Sequence, residues 1–257
     1  MTGGHNLDRR LPLYITGGHP CAYLPGLTAR TLFLDPLTIL DVDVYQFLLD
    51  QGFRRSGSRV YRPQCGTCQR CVPLRIPVAS FAPNRSQRRN RSRNLSDVTL
   101  ADRAAAFDPE HYALYRSYVQ SRHADGSMAD ASPESYRDFL LAPWGGETRF
   151  LELRIDERLV AVAATDVLPR GLSAVYTFFD PEIAGRAPGT YSLLCQIDQA
   201  RRRGLEFLYL GYWIEECRKM SYKDRFRPLE AWIGGRWRHF ARGEPIAWRG
   251  AAPQRPV

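Results

Sequence analysis

Lysine is almost missing from this chain: of its 36 basic residues, only Lys219 and Lys223 are lysines. Arginine-for-lysine bias reflects coding composition first, so the arginine total says little. The two lysines, four positions apart in Arg218-Lys219-Met220-Ser221-Tyr222-Lys223-Asp224, say more. Long apolar runs are missing as well. None reaches the roughly 18 residues that cross a bilayer. The first residues, with Gly3, Gly4, His5, Asn6 and Asp8, lack the apolar core of a signal peptide. The expectation is a soluble, cytoplasmic protein with no membrane partner. Cysteine is limited to positions 21, 65, 68, 71, 195 and 217. In a reducing compartment these read as thiols or ligands rather than disulfides. Acidic residues number 27, which leaves a formal charge of +9. That excess favours anionic partners and says nothing about fold. Apolar residues are plentiful: 44% of 257 positions, enough to fill one large domain or two small ones.

Two features stand close together. Cys65-Gly66-Thr67-Cys68-Gln69-Arg70-Cys71 spaces three thiols so that they can converge on one metal ion or cluster. Three ligands leave a position open, and Cys21, in the turn Gly18-His19-Pro20-Cys21, is the best fourth. The spacing leaves zinc and an iron–sulfur cluster both open. Cys195 falls on an apolar helix face and reads as core. Fourteen residues past Cys71 begins Arg85-Ser86-Gln87-Arg88-Arg89-Asn90-Arg91-Ser92-Arg93. Charge runs are usually solvated surface. Here Arg54-Arg55 and Arg201-Arg202-Arg203 add further basic patches, which favours a strip that neutralises phosphates without reading sequence.

Hydrophobic periodicity places strands over 11–15, 58–62 and 72–78, and a helix over 41–51 that Gly52 stops. The arginine run is a solvated helix or an unpacked arm. The domain boundary falls there, giving an N-terminal cysteine-cluster domain over 1–95 and a second domain over 96–257. The second runs strand (98–101), helix from Pro109, and a helix through Leu141 with Ser132 as cap and Pro133 in its first turn. Three strands over 149–155, 159–167 and 172–179 follow, then a helix from Gly189 and a strand over 207–210. A short helix over 217–224 and strands over 229–233 and 236–240 complete the chain. This order is that of the GNAT acyltransferases. The expected fold class is therefore α/β (α+β), a GNAT-like acyltransferase domain with a smaller N-terminal cysteine-containing domain. Fold order alone does not fix a reaction. GNAT enzymes grip coenzyme A with an Arg-x-x-Gly-x-Gly/Ala loop, and Arg186-Ala187-Pro188-Gly189-Thr190-Tyr191 matches it loosely. Bulky Tyr191 stands where the backbone should be bare, which argues for another acyl carrier. Aromatics gather late, and Tyr212-Trp213 ahead of Glu215-Glu216 suits stacking on an exposed adenine, about 1–3 kcal/mol per base.

Several motifs then occur in a fixed order. They are Leu24-Pro25-Gly26 with Ala29-Arg30-Thr31-Leu32-Phe33, the run from Tyr61 through the three cysteines to Val78, and Phe81 to Arg89. Arg122-His123-x-Asp125-Gly126-x-Met128, Tyr176-x-Phe178-x-Asp180-Pro181, Leu210 to Ile214 and Lys219 to Glu230 follow. Together they resemble the bacterial aspartate/glutamate leucyltransferases, relatives of the eukaryotic arginyl-tRNA–protein transferases, over nearly the whole chain. Asn84 stands where serine is commoner. The resemblance implies an aminoacyltransferase that moves leucine from leucyl-tRNA to proteins beginning with Asp or Glu, marking them for degradation by a downstream adaptor. No cofactor is needed for that chemistry; a zinc or iron–sulfur site at Cys21, Cys65, Cys68 and Cys71 is a separate expectation. For such a reaction Arg85, Arg88 and Arg89 would contact the tRNA acceptor stem, with Tyr191 and Tyr212 lining the aminoacyl-adenosine pocket. Lys219 and Lys223, with Arg122 in reserve, would pair with the acidic first side chain, which an apolar pocket could not select. Glu215 or Glu216 would hold the acceptor amine or take its proton. His123 is the alternative base, or else a structural histidine. Arginine as donor is the main rival. An acyl-coenzyme A enzyme and a non-catalytic RNA-binding module are the other classes.

Overall fold

The computed structural model describes residues 10–123 and 131–247, with the side chain of His123 outside that description. The first segment carries β1 (Leu13–Ile15), β2 (His19–Pro20), β3 (Thr28–Ala29), β4 (Thr31–Leu34) and α1 (Val42–Asp50). It continues through β5 (Arg54–Ser56), β6 (Arg59–Pro63), β7 (Val72–Pro77), α2 (Arg85–Leu95), β8 (Val98–Ala104) and α3 (Pro109–His123). The second carries α4 (Pro133–Leu140), β9 (Glu147–Ile155), β10 (Arg158–Val167), β11 (Gly171–Phe179), α5 (Pro188–Arg202) and β12 (Phe207–Trp213). It ends with α6 (Arg218–Ser221), β13 (Leu229–Ile233) and β14 (Arg236–Phe240). Among the described residues no helix is long and apolar enough to cross a membrane.

The fold is mixed α/β. One eight-stranded sheet has the order β14-β13-β7-β12-β11-β10-β9-β8, beside a four-stranded sheet β1-β4-β6-β5 and the hairpin β2-β3. The alternation along β12 shows how the layers are built. Leu208 and Leu210 pack into the cluster that holds Leu193, Leu194 and Ile197 of α5. Phe207 and Tyr209, pointing the other way, join Val44, Leu48 and Leu49 of α1. α3 and α4 cover Phe150, Val162 and Phe178 through Tyr115, Tyr136 and Leu140. β7, from the first 95 residues, pairs with both β12 and β13, so the two sequence segments share one sheet.

Three local outcomes refine the sequence pattern. Of the two alternatives for the arginine run, α2 is the helix, solvated on its arginine face and packed on the other. Asn84 and Gln87 close a capping box at its start, and Gln87 and Asn94 are buried. Asparagine caps as well as serine, which explains the tolerance at position 84. Its Asn90 Nδ2 donates to the Arg186 carbonyl at 2.8 Å, fastening α2 to the start of α5. β12 runs three residues past Leu210, because a bulge between Tyr209 and Gly211, with Gly211 at φ +76, lets pairing with β7 resume. Arg54-Arg55 is not a surface patch. Both side chains are buried and reach from β5 into the large sheet, where Arg55 meets Asp166 through two bonds of 2.5 and 2.6 Å.

Candidate active site

The parallel pairing in the large sheet is short. β11 and β12 pair only at Gly171–Phe207, Leu172–Leu208 and Ser173–Tyr209. Beyond Ser173 and Tyr209 the two strands part, and a fork opens between them. A fork of this kind leaves backbone carbonyls unpaired, and a buried carbonyl needs a donor. Arg54 supplies it. Its Nη1 donates to Ser173 Oγ at 3.0 Å and to the Tyr209 carbonyl at 3.4 Å, and its Nη2 donates to the Ala174 carbonyl at 2.7 Å. The guanidinium lies against Gly211, where a Cβ would come within 3.1 Å of Arg54 Nε. One residue further along, Lys223 Nζ donates to the Tyr212 carbonyl at 2.6 Å and sits 3.3 Å from Met220 Sδ. Burial, then the nearby Arg54 charge, pulls the Lys223 ammonium down to about 7. The fork thus holds two buried basic groups, Arg54 on the carbonyls of Tyr209 and Ala174 and Lys223 on that of Tyr212.

Its rim brings together two of the residues expected to read the acceptor. Lys219 Nζ donates to the Arg122 carbonyl at 3.3 Å, joining α6 to the end of α3. The Arg122 guanidinium lies 5.5 Å from the Phe179 ring at the end of β11. Both side chains are exposed. Tyr118, one turn before Arg122, packs on Tyr176 and Phe179 of β11. Tyr222 couples to Tyr118 and to Arg54. Glu215 and Glu216 follow β12 on an exposed loop, and Glu216 pairs with Arg70 at 3.1 Å, tying the loop to the cysteine segment.

Cys71 lies at the centre of the thiols. Its own thiol is pushed up to about 12 by burial first, then by Cys65, Cys68, Cys21 and Cys217. Cys21, Cys65 and Cys68 are half-buried, and Cys195 is core. The thiols are close enough to act on one another, yet among the described residues no three His, Cys, Asp or Glu side chains stand in metal-holding geometry.

Other expected residues stand elsewhere. Arg85, Arg88 and Arg89 are exposed on the first turns of α2. Asn84 Nδ2 and Gln87 Nε2 both reach the Arg225 carbonyl, so this helix flanks the segment that carries Lys223. Tyr212 and Trp213 are 3% and 4% exposed, so neither ring is presented to an adenine. The Tyr212 hydroxyl donates to the carbonyls of Gly52 and Tyr61 and is raised well above its ordinary value by burial. Tyr191 is likewise buried, in the cluster of Val160, Ala161 and Phe179, with its hydroxyl raised to about 12 by burial and by Cys195. His123 is the last residue of α3, and its side chain lies outside the described part. Sequence pattern alone does not single out Arg54, because a basic pair in sequence looks like surface; the signal that pairs it with the fork is tertiary.

Two family models match the sequence: arginine-tRNA-protein transferase, N terminus, over residues 19–89, and arginine-tRNA-protein transferase, C terminus, over residues 110–233. The aspartate/glutamate leucyltransferase of Pseudomonas fluorescens is 50% identical over 230 residues, covering 89% of this chain and 96% of that protein. The protein of the same name in Pseudomonas aeruginosa (strain LESB58) is 48% identical over the same shares. The chain therefore belongs to the family of aminoacyl-tRNA–protein transferases that holds these leucyltransferases, and it is an aminoacyltransferase. Among solved structures, L-PGS of Bacillus licheniformis aligns at a TM-score of 0.44 and 11% identity, covering 68% of this chain and 51% of that one. That likeness is too distant to carry an argument.

Proposed function

We propose that this chain transfers leucine from leucyl-tRNA to the N-terminal α-amine of proteins beginning with Asp or Glu. The observation that carries the reading is 50% identity to an aspartate/glutamate leucyltransferase across 96% of that protein's length. The acceptor α-amine attacks the aminoacyl ester carbonyl, a C–N bond forms, and the 3′-oxygen of the terminal adenosine leaves with the electron pair of the broken C–O bond. An α-amine titrates near 7.7–8.0, so a good part is already neutral and only a weak base is needed. Orientation and donors aimed at the developing oxyanion then supply most of the rate.

Placement in the fold supports these roles. Exposed Arg85, Arg88 and Arg89 on α2 hold the acceptor stem. Lys219 and Arg122 at the rim, and Lys223 beneath them, meet the acidic first residue. Glu215 or Glu216 takes the amine proton, with His123 as the alternative. Tyr191 and Tyr212, both buried, back the aminoacyl pocket instead of stacking inside it. The residues from 96 onward form a GNAT-like core to which residues 1–95 lend β7 and the thiol loop. Cys21, Cys65, Cys68 and Cys71 make a donor set suited to zinc or an iron–sulfur cluster. Such a group would deprotonate the thiols and clamp the loop. The reaction would take place in the cytoplasm, and the leucine-tipped products would pass to a degradation adaptor.

The family descriptions name arginine, so arginine is the second donor to weigh. The test is transfer of radiolabelled leucine, and in parallel arginine, from charged tRNA to peptides starting with Asp, Glu, Arg or Ala. Leucine on Asp and Glu peptides alone is the expected result. Arginine on the same peptides would move the donor. No transfer from either tRNA would sink the enzyme reading in favour of an RNA-binding module.

A further inference from the structure

We infer that Arg54 is a specificity-determining residue: with Lys223 it receives the carboxylate of the acceptor's acidic first side chain at the floor of the β11–β12 fork. The inference rests on the leucyl-transfer reading and names the groups that select its acceptor.

The starting point is a charge imbalance. Arg55 and Arg75 are as buried as Arg54, and each meets carboxylates: Asp166 for the first, Asp50 and Glu230 for the second. Arg227, also buried, faces Asp224 and Glu244 at longer range. Arg54 and Lys223 are each 8% exposed, and among the described residues neither has a carboxylate within salt-bridge distance. Their partners are carbonyls, one hydroxyl and one thioether. A buried basic group without an anion is costly to charge, and the fold carries two of them within reach of each other.

Their placement suits an incoming anion. Three of the five N–H groups of Arg54 find acceptors among the described residues. Those bonds hold the guanidinium across the fork, from Ser173 and Tyr209, where pairing ends, to Ala174, where β11 keeps β10 and has lost β12. Gly211 lets the guanidinium lie against the β12 backbone, where a Cβ would meet it at 3.1 Å. From Ala174 to Thr177, where β12 no longer pairs with it, β11 is only half-buried. Lys219 and Arg122, exposed at the rim, add positive charge where a carboxylate would enter.

The selectivity follows from desolvation. Both basic groups have already lost their water, so only the carboxylate's own desolvation opposes the pairing. An amide side chain of the same shape would leave them uncompensated. A site built this way rejects the neutral analogue far more strongly than an apolar pocket can. Lys219 and Arg122, being hydrated, steer entry and discriminate weakly.

The test is calorimetric binding of otherwise identical peptides beginning with Asp or Asn to the full chain and to Arg54→Gln and Lys223→Met. Leucine transfer and leucyl-tRNA binding are measured alongside. Wild type should bind the Asp peptide well ahead of the Asn peptide. Each variant should lose roughly 30-fold or more of that preference by weakening the Asp peptide alone. Transfer should show the loss in KM for the Asp peptide, with leucyl-tRNA affinity unchanged. Equal weakening of both peptides would mean that Arg54 only props the fork, and would overturn the inference. So would an unchanged preference accompanied by loss of bound zinc or iron, which would make the cations counter-charges to the thiols. Should Arg54→Gln fail to fold, Lys223→Met decides the matter alone. Wild type that prefers the Asp peptide yet transfers no leucine would refute the transfer reading and leave carboxylate recognition standing.

Discussion

Lys223 Nζ donates to the backbone carbonyl of Tyr212 at 2.6 Å, deep enough that burial pulls the ammonium from 10.5 down to about 7. Arg54 adds to the fall, while Cys217 and Cys71 oppose it. Below pH 7 the lysine is charged in both folded and unfolded chains. Between about 7 and 10.5 the unfolded chain holds more protons, so this group makes stability rise with pH, by up to about 1.4 kcal/mol per pH unit. Urea denaturation of wild type and Lys223→Met from pH 6 to 10 should show this slope in wild type and its loss in the variant. Parallel curves would mean that the lysine is not charged at pH 6 or not buried.

Arg55 and Asp166 form the most enclosed ion pair among the described residues, with side chains 1% and 0% exposed. Thr148 Oγ1 adds a 2.8 Å bond to the same carboxylate. Asp166→Asn keeps the shape and removes the charge, leaving a buried guanidinium unpaired. The expected loss is about 3–5 kcal/mol of stability, read from the denaturation midpoint at constant m-value.

Arg85, Arg88 and Arg89 stand exposed on α2. Replacing each with Gln should weaken binding of any tRNA, charged or not. It should also make the slope of log affinity against log salt less negative, by roughly 0.7–0.9 for each phosphate that is no longer neutralised. Filter binding across a salt series measures both. An unchanged slope would place the acceptor stem elsewhere on the molecule.

Gly211→Ala should cost more than about 1 kcal/mol, since φ +76 strains any residue with a Cβ. The added methyl also meets Arg54 Nε at 3.1 Å. Acceptor KM should therefore rise together with the stability loss, and thermal melts beside peptide kinetics will show whether the two effects travel together.

Much of the architecture is legible locally. The Ser132 cap with Pro133, the three strands from Glu147 to Phe179, and β13 and β14 lie where periodicity and turn residues place them. Their signals are confined to neighbours in sequence. The short β2, β3, β4 and β5 escape such a reading because two to four residues carry too little pattern. Periodicity ends β12 before Gly211, since a glycine reads as an end unless a bulge absorbs it.

The site is legible in part. The resemblance and the needs of the reaction point to Lys219, Arg122 and Lys223; the fold sets Lys219 against the Arg122 carbonyl and Lys223 against the Tyr212 carbonyl. Burial goes the other way for Tyr191, Tyr212 and Trp213, because an aromatic beside charged residues in sequence can still point inward.

Sequence by itself determined the order of elements, the capping of α2 and α4, and the family, since each depends on residue identity and near neighbours. Only the tertiary structure decided which charges are naked. Arg54 and Arg55 are adjacent and chemically identical, yet one meets carbonyls at a strand fork and the other meets Asp166. Alternation along a strand sends neighbouring side chains to opposite surroundings, and the electrostatic cost of a buried charge depends on those surroundings.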